Sequence, residues 1–386
     1  MGRARSGYHY HSVKMKKVIN IFFAALAIVL ATSCEEKVSP EVENPPIDLV
    51  PELGYIFFDT EVSTKGQLIN GGNLQKDFGV VGYKFSGTNW NGYKAKAKPN
   101  VFTNGTPGTY VNSQQVIWES SSHNYSPLVP WTEDTYAFFA FYPHDLSVSG
   151  KDYEGTPYVD YKIDRKDPTK LVDVMTACDK TATASQMSVS FQMEHRLSAL
   201  SVYARSSVNK AVFETLKNDT SIGEVYVLIK DFDLELQNLE YDTVRIPLDS
   251  EEQIRPGQTG STTVNYNNLT SSTTLKYFST NSDQVDLTSG DKTLILIPQD
   301  GILKCKVSVK YDLVNVQGNS VWDLAYPSMS SAEKSAMQNQ TQTVEVDGLE
   351  SKVRKYLILN FTKTGLSVDA TKAAQWDDVS VDHDFE

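Results

Sequence analysis

From Leu303 to Leu313 the chain alternates residue by residue. Leu303, Cys305, Val307, Val309, Tyr311 and Leu313 fall on one face, and Lys304, Lys306, Ser308, Lys310 and Asp312 on the other. A helix would spread those apolar positions around its axis, whereas a strand, whose successive side chains point to opposite faces, gathers them on one. The segment is therefore a half-buried antiparallel strand. Shorter runs of the same kind recur from Gly54 onward, divided by clusters of Gly, Asn, Asp, Ser and Pro. They lie at Tyr55 to Glu61, Phe78 to Phe85, Ser188 to Arg205, Glu224 to Lys230, Phe232 to Leu236, Thr293 to Pro298 and Tyr356 to Phe361. YAFFAFY, from Tyr136 to Tyr142, is apolar throughout, so it is expected to be buried on both faces.

Helix signals are few. Ser330-Ser331-Ala332-Glu333 resembles a capping box that opens one short helix, and Ser207 to Leu216 is a second candidate. Many strands with so little helix predict an all-β fold of antiparallel β-sandwiches. The chain left after export, about 350 residues, suits two such domains, placed at 53–184 and 185–386. Aromatic residues make up 11% of the chain, with 20 tyrosines, which favours packed sheet over disorder. A net charge of -12, with no basic patch interleaved with aromatics, argues against nucleic acid as a partner.

The N-terminal stretch reads as a targeting device. Its unbroken apolar run, Ile21 to Ala31, is well short of the roughly 20 residues that cross a bilayer. With Lys16 and Lys17 before it and Thr32 and Ser33 after it, residues 1–33 form a signal peptide whose working start is Met15. Cys34 follows Leu30-Ala31-Thr32-Ser33 directly, an arrangement that resembles a bacterial lipobox, so Cys34 is the expected site of lipid attachment. Two acyl chains anchor stably because each buried methylene contributes about 0.8 kcal/mol. Contact with the membrane is then through this lipid alone. Residues 34–52 are acidic and proline-rich with little apolar periodicity, and read as an extended tether. Apart from Cys34 only Cys178 and Cys305 are present, which excludes a disulfide framework.

Motifs for chemistry are missing: there is no P-loop, HExxH, GxGxxG, GxSxG or paired-cysteine zinc pattern. No catalytic residue, cofactor or metal is assigned. Cys178 and His195 make a nominal nucleophile and base, but His195 shares a face with Val189, Phe191, Met193 and Leu197, which suits a hydrogen-bonded core histidine. Asp231-Phe232-Asp233, Asp377-Asp378 and Asp382-His383-Asp384 carry oxygen ligands, yet read as solvated strand ends and a tail. Trp90, Tyr93, Trp118 and Trp131 lie in the loop-rich first half and are either core aromatics or a platform for sugar rings.

One ordered set of segments resembles a known family. It runs FGVVGY (Phe78 to Tyr83), KPNVFTNGT (Lys98 to Thr106), VIW (Val116 to Trp118), YSPLVPW (Tyr125 to Trp131) and TYAFFAFYPHD (Thr135 to Asp145). It continues through DVMTAC (Asp173 to Cys178), VSFQMEHRLSALSVYA (Val189 to Ala204), LILIPQ (Leu294 to Gln299) and a closing stretch from Lys355 to Trp376. In this order the chain is similar to the fimbrillin family, lipoprotein precursors of fimbriae in gut and oral anaerobes. The resemblance implies two tandem transthyretin-like sandwiches, no enzymatic activity, and a role as subunit of an adhesive filament at the outer membrane and cell surface.

It also implies an assembly route. A trypsin-like processing protease removes the N-terminal strand, and a strand from another fimbrial subunit fills the gap by β-strand complementation. The matching cut would follow Lys65, before Gly66, where the family commonly carries arginine. Ten residues follow Trp376, so anchor and tip roles stand beside stalk, and a surface glycan-binding lipoprotein that does not polymerise is the competing class. Asp242-Thr243-Val244 resembles a short O-glycan acceptor motif of the same bacteria, which makes Thr243 a modification candidate.

Overall fold

The alternating segments do form strands. The computed structural model describes residues 53–62, 74–93, 101–102, 113–149, 156–206, 225–257, 259–267, 273–276, 285–288, 293–315, 317–362 and 365–371. The first half contributes β1 (Phe58–Val62), β2 (Phe78–Phe85), the helical turn α1 (Trp90–Tyr93), β3 (Gln114–Glu119), β4 (Ser122–Asn124), β5 (Thr135–Tyr142), β6 (Val148–Ser149), β7 (Tyr158–Lys162), β8 (Met175–Ala182) and β9 (Val189–His195). Then come β10 (Ser198–Ser206), β11 (Val225–Tyr241), β12 (Thr243–Pro247), β13 (Arg255–Pro256), β14 (Thr259–Tyr266), β15 (Thr273–Lys276), β16 (Val285–Asp286), β17 (Leu294–Leu296) and β18 (Leu303–Asn315). Two short helices, α2 (Trp322–Ala325) and α3 (Ser331–Gln338), precede β19 (Asn339–Val346), β20 (Arg354–Thr362) and β21 (Gly365–Thr371).

The first sheet has the order β1-β9-β8-β5-β2-β3-β4. It curls until its edges approach: the Ile56 N–H donates to the Val129 carbonyl at 2.9 Å, and the Trp131 N–H to that of Gly54 at 3.0 Å. The concave face encloses one core, with Phe78, Val80, Tyr136, Phe138 and Ala140 pointing in. The convex face packs into a second core through Val81, Tyr83, Ala137, Phe139 and Phe141. This accounts for YAFFAFY: successive residues of β5 serve opposite cores, so neither set is free to be polar.

The second core continues between two further sheets, β14-β11-β18-β19 and β16-β10-β20-β21. A fourth sheet, β13-β12-β7-β6, joins strands from both halves of the chain, with Val244 opposite Tyr161 and Ile246 opposite Val159.

Several expectations are corrected. Two pairings are parallel, β1 with β9 and β10 with β20, in a fold read as antiparallel. Alternation reports which face is buried and carries no information about strand direction, which a distant crossover decides. The run Ser188 to Arg205 is two strands, because the chain leaves the first sheet at Arg196-Leu197 and enters another. Conversely, Val225 to Lys230, from the run read as Glu224 to Lys230, and Phe232 to Leu236 belong to one long strand, β11, whose register shifts by a bulge between Ile229 and Asp231.

In β18 the alternation holds as far as Lys310, but Asp312 is buried with its apolar neighbours. Lys230 Nζ donates to its carboxylate at 2.6 Å, Ser320 Oγ at 2.8 Å and Gln338 Nε2 at 3.4 Å, because the segment carrying α2 and α3 packs over the end of the strand. The capping box opens α3 as read: the Glu333 N–H donates to Ser330 Oγ at 3.3 Å and the Ser330 N–H to Glu333 Oε2 at 2.7 Å. The second candidate helix, Ser207 to Leu216, lies outside the described residues.

Candidate functional site

β1 is an edge strand inserted between two parts of the first sheet's rim. Ile56, Phe58 and Thr60 are buried, while Phe57 and Asp59 are exposed. The Phe58 ring meets those of Phe138 at 5.2 Å, Tyr125 at 5.4 Å, Phe191 at 5.7 Å and Phe102 at 6.1 Å. On one side β1 pairs with β9 from Phe58 opposite Val189 to Val62 opposite Met193, and the Val189 N–H donates to the Phe57 carbonyl at 2.8 Å. On the other side Tyr125 Oη donates to the Ile56 carbonyl at 2.8 Å, and the Leu74 N–H to Thr60 Oγ1 at 3.2 Å. The strand therefore fills a slot whose walls are aromatic, with a backbone ladder on the β9 side and, on the other, side-chain contacts and the backbone bonds of Gly54 and Ile56 that lead into it. Lys65 and Gly66, the expected processing point, and Cys34, the expected lipid site, lie outside the described residues.

The four aromatic candidates separate. Trp90 is 3% exposed and packs on Tyr83, Phe85 and Phe139; Trp131 is 4% exposed and packs on Tyr136 and Phe138. Both are core residues, which removes them as ligand platforms. The side chain of Tyr93 falls outside the described residues. Of the three described side chains, Trp118 is the half-buried one, on β3, where it borders an open cleft with Tyr142 and Asp145.

His195 is a core histidine, its Nδ1 2.8 Å from Asp173 Oδ1. Cys178 is turned elsewhere, its Sγ donating to Asp249 Oδ1 at 3.4 Å. Burial, reinforced by the Asp249 carboxylate, pushes this thiol up to about 12, opposite to what a nucleophile requires. Asp231 and Asp233 sit on β11 either side of buried Phe232, paired in register with Lys310 and Ser308. Asp377, Asp378, Asp382 and Asp384 lie outside the described residues. Thr243 opens β12 half-buried, and Gly257 approaches it so closely that a β-carbon there would lie 2.0 Å from Thr243 Oγ1.

Sequence reasoning passed over Arg196, which the fold uses heavily. Its Nη1 donates to Thr176 Oγ1 at 3.0 Å and to the Asp249 carbonyl at 3.2 Å, and its Nη2 to the Glu252 carbonyl. A lone arginine inside an apolar run, VSFQMEHRLSALSV, was the available signal.

The fimbrillin-like family model matches residues 73–352, most of the chain. The chain belongs to the fimbrillin-like family. Membership places this fimbrillin-like protein with fimbrial and adhesion-related proteins of the cell surface. Among solved structures it is similar to a fimbrial protein from Bacteroides vulgatus ATCC 8482, with 17% identity, a TM-score of 0.51, and coverage of 83% of this chain and 99% of that one. A candidate cell adhesion protein from Bacteroides ovatus ATCC 8483 aligns at 13% identity and a TM-score of 0.47, over 83% of this chain and 96% of its own. The first of these shares the fold of the fimbrillin-like chain. No curated protein matches it significantly.

Proposed function

We propose that this chain is a non-catalytic subunit of a surface fimbria, exported as an outer-membrane lipoprotein through Cys34 and assembled by exchange of its first strand. The observation that carries the reading is the slot occupied by β1. A peripheral strand held by a backbone ladder to β9 on one side, by backbone bonds of Gly54 and Ile56 just before it on the other, and by one deeply seated phenylalanine can be replaced by a strand of another chain that makes the same bonds. Lys65 follows Val62 by three residues, so a cut there severs β1 and everything before it, lipid included, from the body. An open apolar edge invites aggregation, which suits a cut made only after export.

In this reading the body is two sandwiches, 53–184 and 185–386, and the chain changes sheets shortly after that boundary, at Arg196-Leu197. Thr243 keeps its place as an O-glycan candidate, with Gly257 crowding its hydroxyl in the folded state.

Limited trypsin digestion of the purified protein, followed by sizing, tests the assembly reading. The expected result is an early product beginning at Gly66 that forms higher-order species, while Lys65→Ala remains monomeric. A Lys65 bond that resists trypsin, or a cut body that stays monomeric at high concentration, would sink it.

A further inference from the structure

β3 and β4 join through Ser120 and Ser121, whose φ angles of 52° and 68° make the tight two-residue turn that matches hairpin twist. Non-glycine residues hold such angles at a cost, so the surroundings enforce this hairpin. It sets Trp118 opposite His123, with the rings 4.7 Å apart. His123 is itself fixed, its Nε2 donating to the Leu74 carbonyl at 2.8 Å. From the other side Asp77 locks the strand: its Oδ1 accepts the Trp118 N–H at 3.0 Å, and its Oδ2 accepts Gln115 Nε2 at 3.0 Å. Trp118 is thus a half-exposed indole with a rigid backing, which is costly to build for a ring that serves only as cover.

The cleft beside it has a volume of about 370 Å³ and is walled by Asp77, Trp118, Tyr142, His144 and Asp145, with Lys76 at its rim. That volume lies within the range of small-ligand pockets, roughly 300–1,000 Å³. Two half-buried aromatics face a space ringed by hydrogen-bonding groups. The Tyr142 phenol is protonated at neutral pH as any tyrosine is, and burial, helped by the Asp173 and Asp145 carboxylates, pushes it further up, so its O–H is a donor.

The chemistry selects among ligands. An apolar ligand would cover the Asp145 carboxylate, which water now solvates, and give it no donor in exchange. A phosphate or nucleic acid would meet those carboxylates and a chain of net charge -12. A sugar ring in its chair form has both features at once: an apolar face of C–H groups that lies on an aromatic ring, and a perimeter of hydroxyls that donate to carboxylates and accept from lysine. We propose that the Trp118–Tyr142 cleft binds a neutral pyranose unit of a glycan. The cleft lies outside the β1 slot, although its backing residue His123 has Nδ1 3.5 Å from Asp59 of β1, and it narrows the earlier four-residue platform to one tryptophan and a tyrosine not named in it.

The test is titration of the full, uncut chain with the methyl glycosides of glucose, galactose, mannose, fucose, N-acetylglucosamine and N-acetylgalactosamine, read by saturation-transfer NMR and calorimetry. Saturable binding of at least one glycoside is expected. Trp118→Ala should weaken it about tenfold or more, and Leu324→Ala, at an exposed residue outside the cleft, should leave it unchanged. Asp145→Asn, at an exposed position where folding is not at stake, should weaken it severalfold. Absence of saturable binding across the panel, or full binding by a folded Trp118→Ala or by Asp145→Asn, would overturn the proposal. Since sugar binding is read on uncut monomer and assembly on cut protein, failure of one leaves the other standing.

Discussion

Cys178 and Cys305 are the thiols of the folded body, and each is pushed up to about 12, Cys305 by burial and Cys178 by burial with the Asp249 carboxylate. The native state therefore holds these protons more tightly than the unfolded chain, where a thiol titrates near about 8.5. Their contribution to stability is complete below that value and is lost as pH rises from about 8.5 toward 12. At pH 8 neither thiol should react with a thiol-specific disulfide reagent in the native protein, and both should react once urea unfolds it. Rapid native labelling of Cys178 would contradict the burial argument.

Arg196 makes a stronger claim on stability. Burial lowers its guanidinium pKa, and its bonds go to a hydroxyl and two backbone carbonyls. Arg196→Met keeps much of the volume and leaves the Asp249 and Glu252 carbonyls without this donor, at roughly 1–3 kcal/mol each. A urea midpoint unchanged from wild type would show that solvent replaces the arginine freely. The sequence placed His195 correctly from its face, yet not its partner Asp173, because a contact 22 residues away leaves no local trace.

At the level of elements, local signals were readable and non-local ones were not. The capping box of α3 spans four residues and was visible as such. The burial of β5 followed from composition alone. Strand direction in β1–β9 and β10–β20, the merging of β11 and the burial of Asp312 depend on which segments meet in space. The aromatic candidates show the same limit. Trp90, Trp118 and Trp131 have comparable polar neighbours in the sequence, and only the packing of α1 and β5 divides two core residues from a half-buried one.

One of the two glycines in β2 illustrates how tightly those elements meet. A β-carbon on Gly79 would lie 2.1 Å from the Phe141 ring, directly across the β2–β5 pairing. Gly79→Ala is expected to cost about 1–3 kcal/mol through overpacking. Adding Phe141→Leu should recover part of that loss. Thermal melts of the single and double variants check it, and a single variant as stable as wild type would mean that the strand pair is looser than its geometry indicates.

For the whole molecule, the question is whether the body can exist without its first strand. β1 and the segment leading into it contribute Phe58 and Ile56 to the concave core, and burying each such side chain stabilises by about 1.5–3 kcal/mol. Its removal also strips backbone partners from β9, from Val189 to Met193, and empties the ring cage of Phe102, Tyr125, Phe138 and Phe191. The rest of that core, including Phe78, Val80 and Met193, is contributed by β2, β5, β8, β9 and adjoining segments. The body is therefore expected to survive as a destabilised, association-prone fold rather than to unfold outright. A chain beginning at Gly66 should melt several degrees lower than the full chain and form oligomers as its concentration rises. A synthetic peptide of residues 53–62 should bind it, restore the melting temperature and return it to monomer. The same peptide with Phe58→Asp should do neither, since a carboxylate cannot be accommodated among four aromatic rings without a donor. A truncated chain as stable and as monomeric as the full one would mean that the slot closes on itself, and the strand would then be a cover for the core rather than a seat for a neighbour.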